Sequence, residues 1–258
     1  MSEPLLSVRD LTLRFGSVTA FAGVSFDVAR GELFAVIGPN GAGKSSLFNA
    51  LSRVYDPSDG TVTFDGRDFL QLTPRRLAGI GIARSFQNLG VFPALTVLDN
   101  VMVGRHHLMG AGALRGGLGL ARGEERRHRL AALEALEFVD IRSLAGAAVH
   151  TLPYGLQKRV ELARCLAMEP RVLLLDEPVA GMNASERAEI ADLVVRVHAE
   201  RELALLLVEH DMGLVMKVAQ RILVLDFGEP IAIGTPAEIQ RDARVIRAYL
   251  GEELEVAA

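Results

Sequence analysis

One segment restricts the possible folds of this chain more than any other: Gly38-Pro39-Asn40-Gly41-Ala42-Gly43-Lys44-Ser45. Its spacing, G-x-x-x-x-G-K-S, is that of a phosphate-binding loop, and it connects an apolar run at residues 33–37 to a helix-like run at residues 45–54. The glycines allow successive backbone N–H groups to face one point, where the positive end of the helix dipole favours an anion. The Lys44 ammonium can reach terminal phosphates, and the Ser45 hydroxyl can hold Mg²⁺. A plain glycine turn is the alternative, but spacing, flanks and the Gly-Lys-Ser ending agree on a nucleotide site.

Apolar runs on both sides of this loop predict the fold class. Residues 172–175, 204–208 and 222–225 suit strands that are buried on both faces. Residues 5–15 and 24–28 read as earlier strands joined by turns. The pattern predicts an α/β protein with a mostly parallel sheet that carries the phosphate loop, an N-terminal antiparallel β layer and an inserted α-helical subdomain.

The middle of the chain, residues 88–156, has a different character and is expected to form that helical subdomain. Thr96 can cap a helix there. Apolar residues at intervals of three suggest one buried helical face: Leu130, Leu133, Leu136 and Val139. Residues 104–123, rich in glycine, arginine and leucine, are expected to form a mobile loop. We therefore expect a single domain whose nucleotide-binding core comprises residues 1–87 and 157–258.

Charge, cysteine content and the lengths of the apolar stretches limit the partners and the cellular compartment that can be expected for this protein. The 258 residues carry a formal net charge of −4, which supplies no overall field to attract nucleic acid. Cys165 is the only cysteine and lies in an apolar helical run, which indicates a buried, inert thiol and fits a reducing cytosol. The first residues do not read as a signal peptide, and no apolar stretch approaches the roughly 20 residues needed to cross a bilayer.

Two carboxylates follow directly after the apolar run at residues 172–175. Strand C-terminal ends are where α/β proteins place ligands. Asp176 is therefore predicted to bind Mg²⁺ directly or through water, and Glu177 to polarise a water beyond the γ-phosphate. A solvated acidic turn is the alternative.

Together these motifs resemble the ATP-binding cassette subunit of an ABC transporter, from the first strands to about Tyr249. Residues 38–45 match the family's Walker A motif, and residues 172–177 match its Walker B motif with the catalytic glutamate last. Gln87, in the run Arg-Ser-Phe-Gln-Asn, matches the Q-loop glutamine, which in the family touches Mg²⁺ and the attacking water. His210, in Val-Glu-His-Asp, matches the switch histidine that contacts the γ-phosphate.

The resemblance implies a P-loop (RecA-like) fold and ATP and Mg²⁺ as cofactors. It also assigns roles to these residues. Catalytic roles fall to Lys44, Gln87, Glu177 and His210, and metal binding to Ser45, Gln87 and Asp176. Nucleotide contacts fall to Phe15, Gly38, Pro39, Asn40, Gly41, Ala42, Gly43, Lys44, Ser45, Ser46 and Gly155. Phe15 stands where the family places an aromatic that stacks on adenine, and packing in the core is the alternative for this side chain.

The family's signature, Leu-Ser-Gly-Gly-Gln, aligns with residues 152–156, Leu-Pro-Tyr-Gly-Leu. The serine, whose hydroxyl touches the γ-phosphate held by the opposite subunit, is replaced by Pro153. Gly155 and a helix expected to begin near Gln157 remain able to present N–H groups to that phosphate. Asn183 likewise stands where the family usually has aspartate. The resemblance therefore implies a modified signature and two unequal ATP sites in a dimer.

These departures resemble the ATPases of bacterial branched-chain amino acid importers. That group implies integral membrane permease subunits, a second related ATPase subunit (heterodimer) or a second copy (homodimer), and indirectly a soluble solute-binding protein, with no nucleic acid partner. It also implies a peripheral location on the cytoplasmic face of the inner membrane. Importers of urea, amides or aromatic acids have similar ATPases and remain alternatives.

Two other functional classes explain the motifs less completely. A soluble ABC ATPase acting on nucleic acid or ribosomes usually carries two cassettes, a long coiled coil or basic extensions, which this acidic single cassette lacks. A small-molecule kinase accounts for the phosphate loop but not for Gln87, the signature region and His210 together.

Overall fold

In the computed structural model, the described residues are 3–85, 90–109 and 121–256. The chain divides into two compact units. The first comprises Met1–Leu77, Leu174–Glu177 and Val195–Ala258, and the second comprises Ala78–Leu173 and Pro178–Val194. The range 88–156, expected from the sequence to form a helical subdomain, falls within the second unit.

An antiparallel sheet is built from the N-terminal part of the chain. Its order is β2-β1-β4-β5, formed by β1 (Leu6–Phe15), β2 (Val18–Val28), β4 (Asp59–Phe64) and β5 (Arg67–Asp68). The β1–β2 hairpin runs from the pair Leu6↔Val28 to the pair Phe15↔Val18. This register places Phe15 at the tip of the hairpin, next to the turn.

The second sheet carries the nucleotide loop. Its order is β10-β9-β3-β8-β7-β6, formed by β3 (Leu33–Ile37), β6 (Ile82–Arg84), β7 (Val172–Asp176), β8 (Ala204–Val208), β9 (Arg221–Asp226) and β10 (Glu229–Gly234). β3 pairs in parallel with both β8 and β9, and β10 closes the edge antiparallel to β9. Every residue of β3, β7 and β8 is buried, as their continuous apolar sequences predict. Parallel neighbours end at the same edge, so β3, β8 and β9 deliver their following loops together.

Helices connect these strands: α1 (Lys44–Leu51), α2 (Pro74–Ile80), α3 (Val97–Gly104), α4 (Ala121–Phe138), α5 (Tyr154–Ala167), α6 (Ala184–Arg201), α7 (Met212–Val218), α8 (Pro236–Ile239) and α9 (Ala243–Val256). The predicted cap at Thr96 is confirmed, because its side chain accepts a hydrogen bond from the N–H of Asp99 at 3.1 Å. Pro236 occupies the first turn of α8 behind a capping box formed by Thr235 and Glu238.

The buried face of α4 differs from the sequence prediction. Leu130 is 49% exposed, whereas Leu136 and Val139 are fully buried. Because each helical residue advances by about 100°, positions nine apart point in nearly opposite directions, so a spacing of three cannot stay on one face. The buried positions instead follow the spacing i, i+4, i+7, i+8 and i+11: His128, Ala132, Ala135, Leu136 and Val139.

The architecture confirms the predicted α/β class, with an antiparallel layer beside a mostly parallel sheet flanked by helices. Cys165 is buried in α5, and that burial raises the pKa of its thiol to about 12, as expected for an inert cysteine. Across the described part of the chain, none of the helices is both long enough and apolar enough to cross a bilayer.

Candidate active site

The phosphate loop connects β3 to α1, as its flanking sequence predicts. Gly38 has φ +150°, and a Cβ atom there would lie 2.0 Å from the carbonyl oxygen of Leu225. Gly43 has φ +94°, and its Cβ would lie 2.5 Å from the carbonyl oxygen of Ala20. Both contacts are with backbone atoms that cannot move aside, so these two positions require glycine.

Lys44 projects from the first residue of α1 back over the loop. Its side chain is buried, and its ammonium donates hydrogen bonds to the carbonyl oxygens of Gly38 and Pro39, both at 2.7 Å. The cation is therefore held where the helix N-terminus already favours an anion. The remaining predicted loop residues are Asn40, Gly41 and Ser45, which are exposed, Ser46, which is half-buried, and Ala42, which is buried.

The acidic pair lies at the C-terminal end of β7. Asp176 is 1% exposed and Glu177 is 8% exposed, so neither belongs to a solvated surface turn. Glu177 has φ 48°, in the left-handed region, while its N–H donates to the carbonyl oxygen of Val208 at 2.9 Å. A non-glycine residue in this conformation costs about 1–3 kcal/mol and persists only where its surroundings enforce it, which is typical of functional sites.

His210 contacts Glu177 directly. Its Nε2 lies 2.6 Å from Oε1 of Glu177, a hydrogen bond between the end of β7 and the turn after β8. Glu209, which is 3% exposed, orients this turn because its carboxylate accepts the N–H of His210 at 2.9 Å. Asp211 then caps α7 by accepting the N–H of Leu214 at 3.0 Å. The structure thus brings together two residues that lie 33 positions apart in the sequence.

The aromatic residue Phe15 is 47% exposed, which excludes the alternative that it packs in the core. Its ring meets that of Tyr55 edge-on, with centroids 5.0 Å apart and an interplanar angle of 82°. The sequence prediction did not include Tyr55, although an aromatic soon after the loop helix, beside a Pro-Ser-Asp-Gly turn, is a visible signal.

The modified signature lies in the second unit. Helix α5 begins at Tyr154 rather than near Gln157, with Pro153 at the N-cap position and no side-chain cap hydrogen bond. Gly155 is thus half-buried within the first helical turn, and a Cβ there would meet Oε1 of Glu186 at 3.4 Å, an ordinary contact. This glycine is compatible with the predicted role but is not required by space.

Asn183 has a structural role that the sequence pattern could have revealed. Its Oδ1 accepts the N–H of Glu186 at 3.0 Å, and the Glu186 carboxylate accepts the N–H of Asn183 at 3.1 Å. This reciprocal pair is a capping box at the start of α6, visible in the sequence as Asn-x-x-Glu.

Gln87, the predicted Q-loop glutamine, lies outside the described residues. Three positions further along the chain, the N–H of Gly90 donates to the carboxylate of Glu161, and its carbonyl oxygen accepts a hydrogen bond from the guanidinium of Arg164.

The donor set fits a nucleotide with its metal. Among the residues described, no group of three or more His, Cys, Asp or Glu side chains could hold a metal ion. Mg²⁺ typically takes only one or two protein oxygens and completes its shell with phosphate oxygens and water. The hydroxyl of Ser45 and the carboxylate of Asp176 are oxygens of that kind, and Lys44 supplies the positive charge that phosphates require.

Known proteins are similar to this chain both in sequence and in fold. The sequence matches the ABC transporter family over residues 21–180 and the branched-chain amino acid ATP-binding cassette transporter family over residues 229–255. It is 39% identical over 254 residues to the high-affinity branched-chain amino acid transport ATP-binding protein BraF of Pseudomonas aeruginosa, covering 98% of this chain and 100% of BraF. It is 40% identical over 256 residues to LivG of Salmonella typhimurium, a protein of the same description, covering 98% and 100%.

Solved structures agree with these relatives. A nucleotide-free ATP-binding cassette from an ABC transporter matches with a TM-score of 0.83 and 28% identity, over 96% of this chain and 99% of that one. A dimeric post-hydrolysis structure of the cassette MJ0796, bound to ADP and Pi, matches with a TM-score of 0.75 and 27% identity, over 90% and 98%. The loop, the acidic pair and the histidine therefore lie in a shared framework, and the chain belongs to the ABC transporter family, as an ATP-binding cassette subunit that hydrolyses ATP.

Proposed function

We propose that this chain is the ATP-hydrolysing subunit of an importer for branched-chain amino acids. The observation that carries the proposal is the match along nearly the whole chain to BraF and LivG, whose names specify that transport. The separate match over residues 229–255, in the C-terminal region outside the general ABC match, supports the same group. ATP hydrolysis belongs to the family, and the solute is the proposed element.

Three side chains of the first unit carry the proposed chemistry. Lys44 places its ammonium on the terminal phosphates and neutralises charge as the phosphoryl group transfers. Glu177 orients the attacking water and accepts its proton. His210 acts together with Glu177, and the 2.6 Å contact between the two side chains supports this pairing. His210 is also proposed to hold the γ-phosphate. Lys44 and Glu177 are buried, which makes their electrostatic contributions larger than they would be in water.

Mg²⁺ is the proposed metal, held by Ser45 and Asp176 together with Gln87. When bound, it would withdraw charge from the phosphate oxygens. The position of Asp176 at the C-terminal end of β7, where α/β proteins place ligands, supports this assignment.

The remaining part of the ATP site is proposed to come from a second cassette. In that arrangement the first turn of α5, with Tyr154 and Gly155, faces the γ-phosphate bound by the partner, and ATP binding favours the closed pair. The dimeric structure of MJ0796 supports this assembly. The partner is a related ATPase or a second copy. With a related ATPase that keeps the signature serine, Pro153 makes the two sites unequal.

We propose that closure of the cassette pair moves membrane permease subunits, which the cassettes contact at the cytoplasmic face of the inner membrane. The helical part of the second unit is the proposed contact, and a soluble solute-binding protein delivers the amino acid on the other side. A tagged chain should co-purify with membrane subunits from detergent extracts. Recovery with ribosomes or DNA instead would contradict the transport assignment.

Nucleotide binding itself is tested by Lys44→Ala. Losing an ammonium that binds phosphate should weaken ATP binding about 10- to 100-fold, since hydrogen bonds to charged groups contribute about 1.5–3 kcal/mol. Isothermal titration calorimetry on the isolated chain measures this directly. Lys217→Ala, which removes an exposed lysine of α7, is the matched control and should bind ATP normally. Wild-type affinity in Lys44→Ala would remove Lys44 from the site.

A further inference from the structure

An exposed aromatic pair lies at the tip of the β1–β2 hairpin. Phe15 is 47% exposed and Tyr55 is 37% exposed, although their rings are in edge-to-face contact. Val18, paired with Phe15 across the hairpin, and Val54, next to Tyr55, are exposed as well. Contiguous exposed apolar side chains of this kind usually mark a binding surface.

Backbone hydrogen bonds direct Tyr55 towards Phe15. At the end of α1, the N–H of Val54 donates to the carbonyl oxygen of Asn49 at 2.8 Å, and the N–H of Arg53 donates to that of Ala50 at 3.0 Å. These bonds form a Schellman motif, with Arg53 in the left-handed position at φ 59°. The motif reverses the chain immediately after the helix that begins at the phosphate loop.

Side chains reinforce this turn. The guanidinium of Arg53 pairs with Asp56 at 2.7 Å and donates to the carbonyl oxygen of Leu72 at 3.2 Å. Arg53 is therefore anchored although its backbone conformation is unfavourable for a residue with a side chain.

A second set of bonds fastens the same loop to β1. The N–H of Ser58 donates to the carbonyl oxygen of Thr12 at 2.8 Å, and the Ser58 hydroxyl accepts the N–H of Arg14 at 2.9 Å. Arg14 directly precedes Phe15, so the loop that carries Tyr55 and the strand that carries Phe15 are locked at adjacent points. The backbone segments that carry the two rings are thus held together on both sides of the contact.

We propose that Tyr55 is a positioning residue for the nucleotide base: it fixes the ring of Phe15 for stacking on adenine. This inference rests on the proposed ATP binding. Edge-to-face contact restricts the rotation of Phe15 while leaving nearly half of its surface open to a planar ligand. Because Tyr55 follows the C-terminal end of α1 and Lys44 begins that helix, one short element sets the separation between the base platform and the phosphate loop.

The test compares two ligands on the isolated chain by calorimetry, ATP and inorganic tripolyphosphate, each with Mg²⁺. Tyr55→Leu should weaken ATP binding about three- to tenfold, as expected for losing one aromatic pair, and should leave tripolyphosphate binding unchanged. Tyr55→Phe, which keeps the ring, should bind both ligands like the wild type. Phe92→Leu removes an equally exposed phenyl ring, 49% against 47% for Phe15, and serves as the control.

A double-mutant cycle separates positioning from an independent contact. If Tyr55 acts through Phe15, adding Tyr55→Leu to Phe15→Leu should cause no further loss of ATP affinity. Additive losses would overturn the proposal, as would Tyr55→Leu affinity within twofold of wild type or equal losses for both ligands. Ser58→Ala alters neither ring and should give a smaller loss for ATP alone. A wild-type chain that binds neither ligand would instead contradict the proposed ATP site.

Discussion

The proposed role of Glu177 requires its position in the fold as well as its carboxylate. Its carboxylate is buried, its backbone is held in the left-handed region, and its Oε1 lies 2.6 Å from His210. The hydrogen bond from its N–H to Val208 links the ends of two neighbouring strands and helps to maintain this conformation. The side chain is therefore preorganised in a way that an acidic surface turn could not provide.

Replacing this carboxylate tests its chemical role. Glu177→Gln keeps the shape and the contact with His210 but cannot accept a proton. We expect ATP binding to remain while hydrolysis by the assembled complex falls about 10²–10⁴-fold, the range for a lost general base. Single-turnover measurements report the chemical step. Glu200→Gln, a change at an exposed carboxylate of α6, is the comparison, and unchanged turnover in Glu177→Gln would exclude Glu177 as the base.

Among the helices and strands, the parts with unambiguous patterns were predictable. The loop spacing, the continuous apolar strands and the Thr96 cap depend on local rules, and all three are present in the structure. The face of α4 was not predictable, since its packing includes His128, a polar residue buried against Arg105 at 3.0 Å. The contact of Glu177 with His210 also needed tertiary information, because only strand order brings those loops together.

The start of α6 provides a test at this scale. Asn183→Ala removes the side-chain acceptor of the capping box and should lower the free energy of unfolding by about 1 kcal/mol. Asn183→Asp keeps the acceptor and adds a negative charge at a helix N-terminus, so it should be at least as stable as the wild type. Urea denaturation followed by circular dichroism gives both values. Equal loss in the two variants would show that the cap hydrogen bond is not what stabilises the turn.

At the scale of the whole molecule, each unit carries a different part of the proposed ATP site. The first contains the phosphate loop, the acidic pair and His210, and the second contains the modified signature at the start of α5. In the proposed dimer a second cassette completes the site, and membrane subunits convert closure of the pair into transport. This dependence on partners explains why the solute is not encoded in the site residues themselves.

Reconstitution tests the central claim most directly. The chain, its partner cassette and the membrane subunits would be placed in proteoliposomes with ATP at the cassette side, and uptake of labelled leucine would be measured with the solute-binding protein outside. We predict leucine uptake that requires ATP and is abolished by Glu177→Gln, with sulfate as a solute that is not taken up. ATP hydrolysis without leucine uptake, or uptake unaffected by Glu177→Gln, would contradict the account.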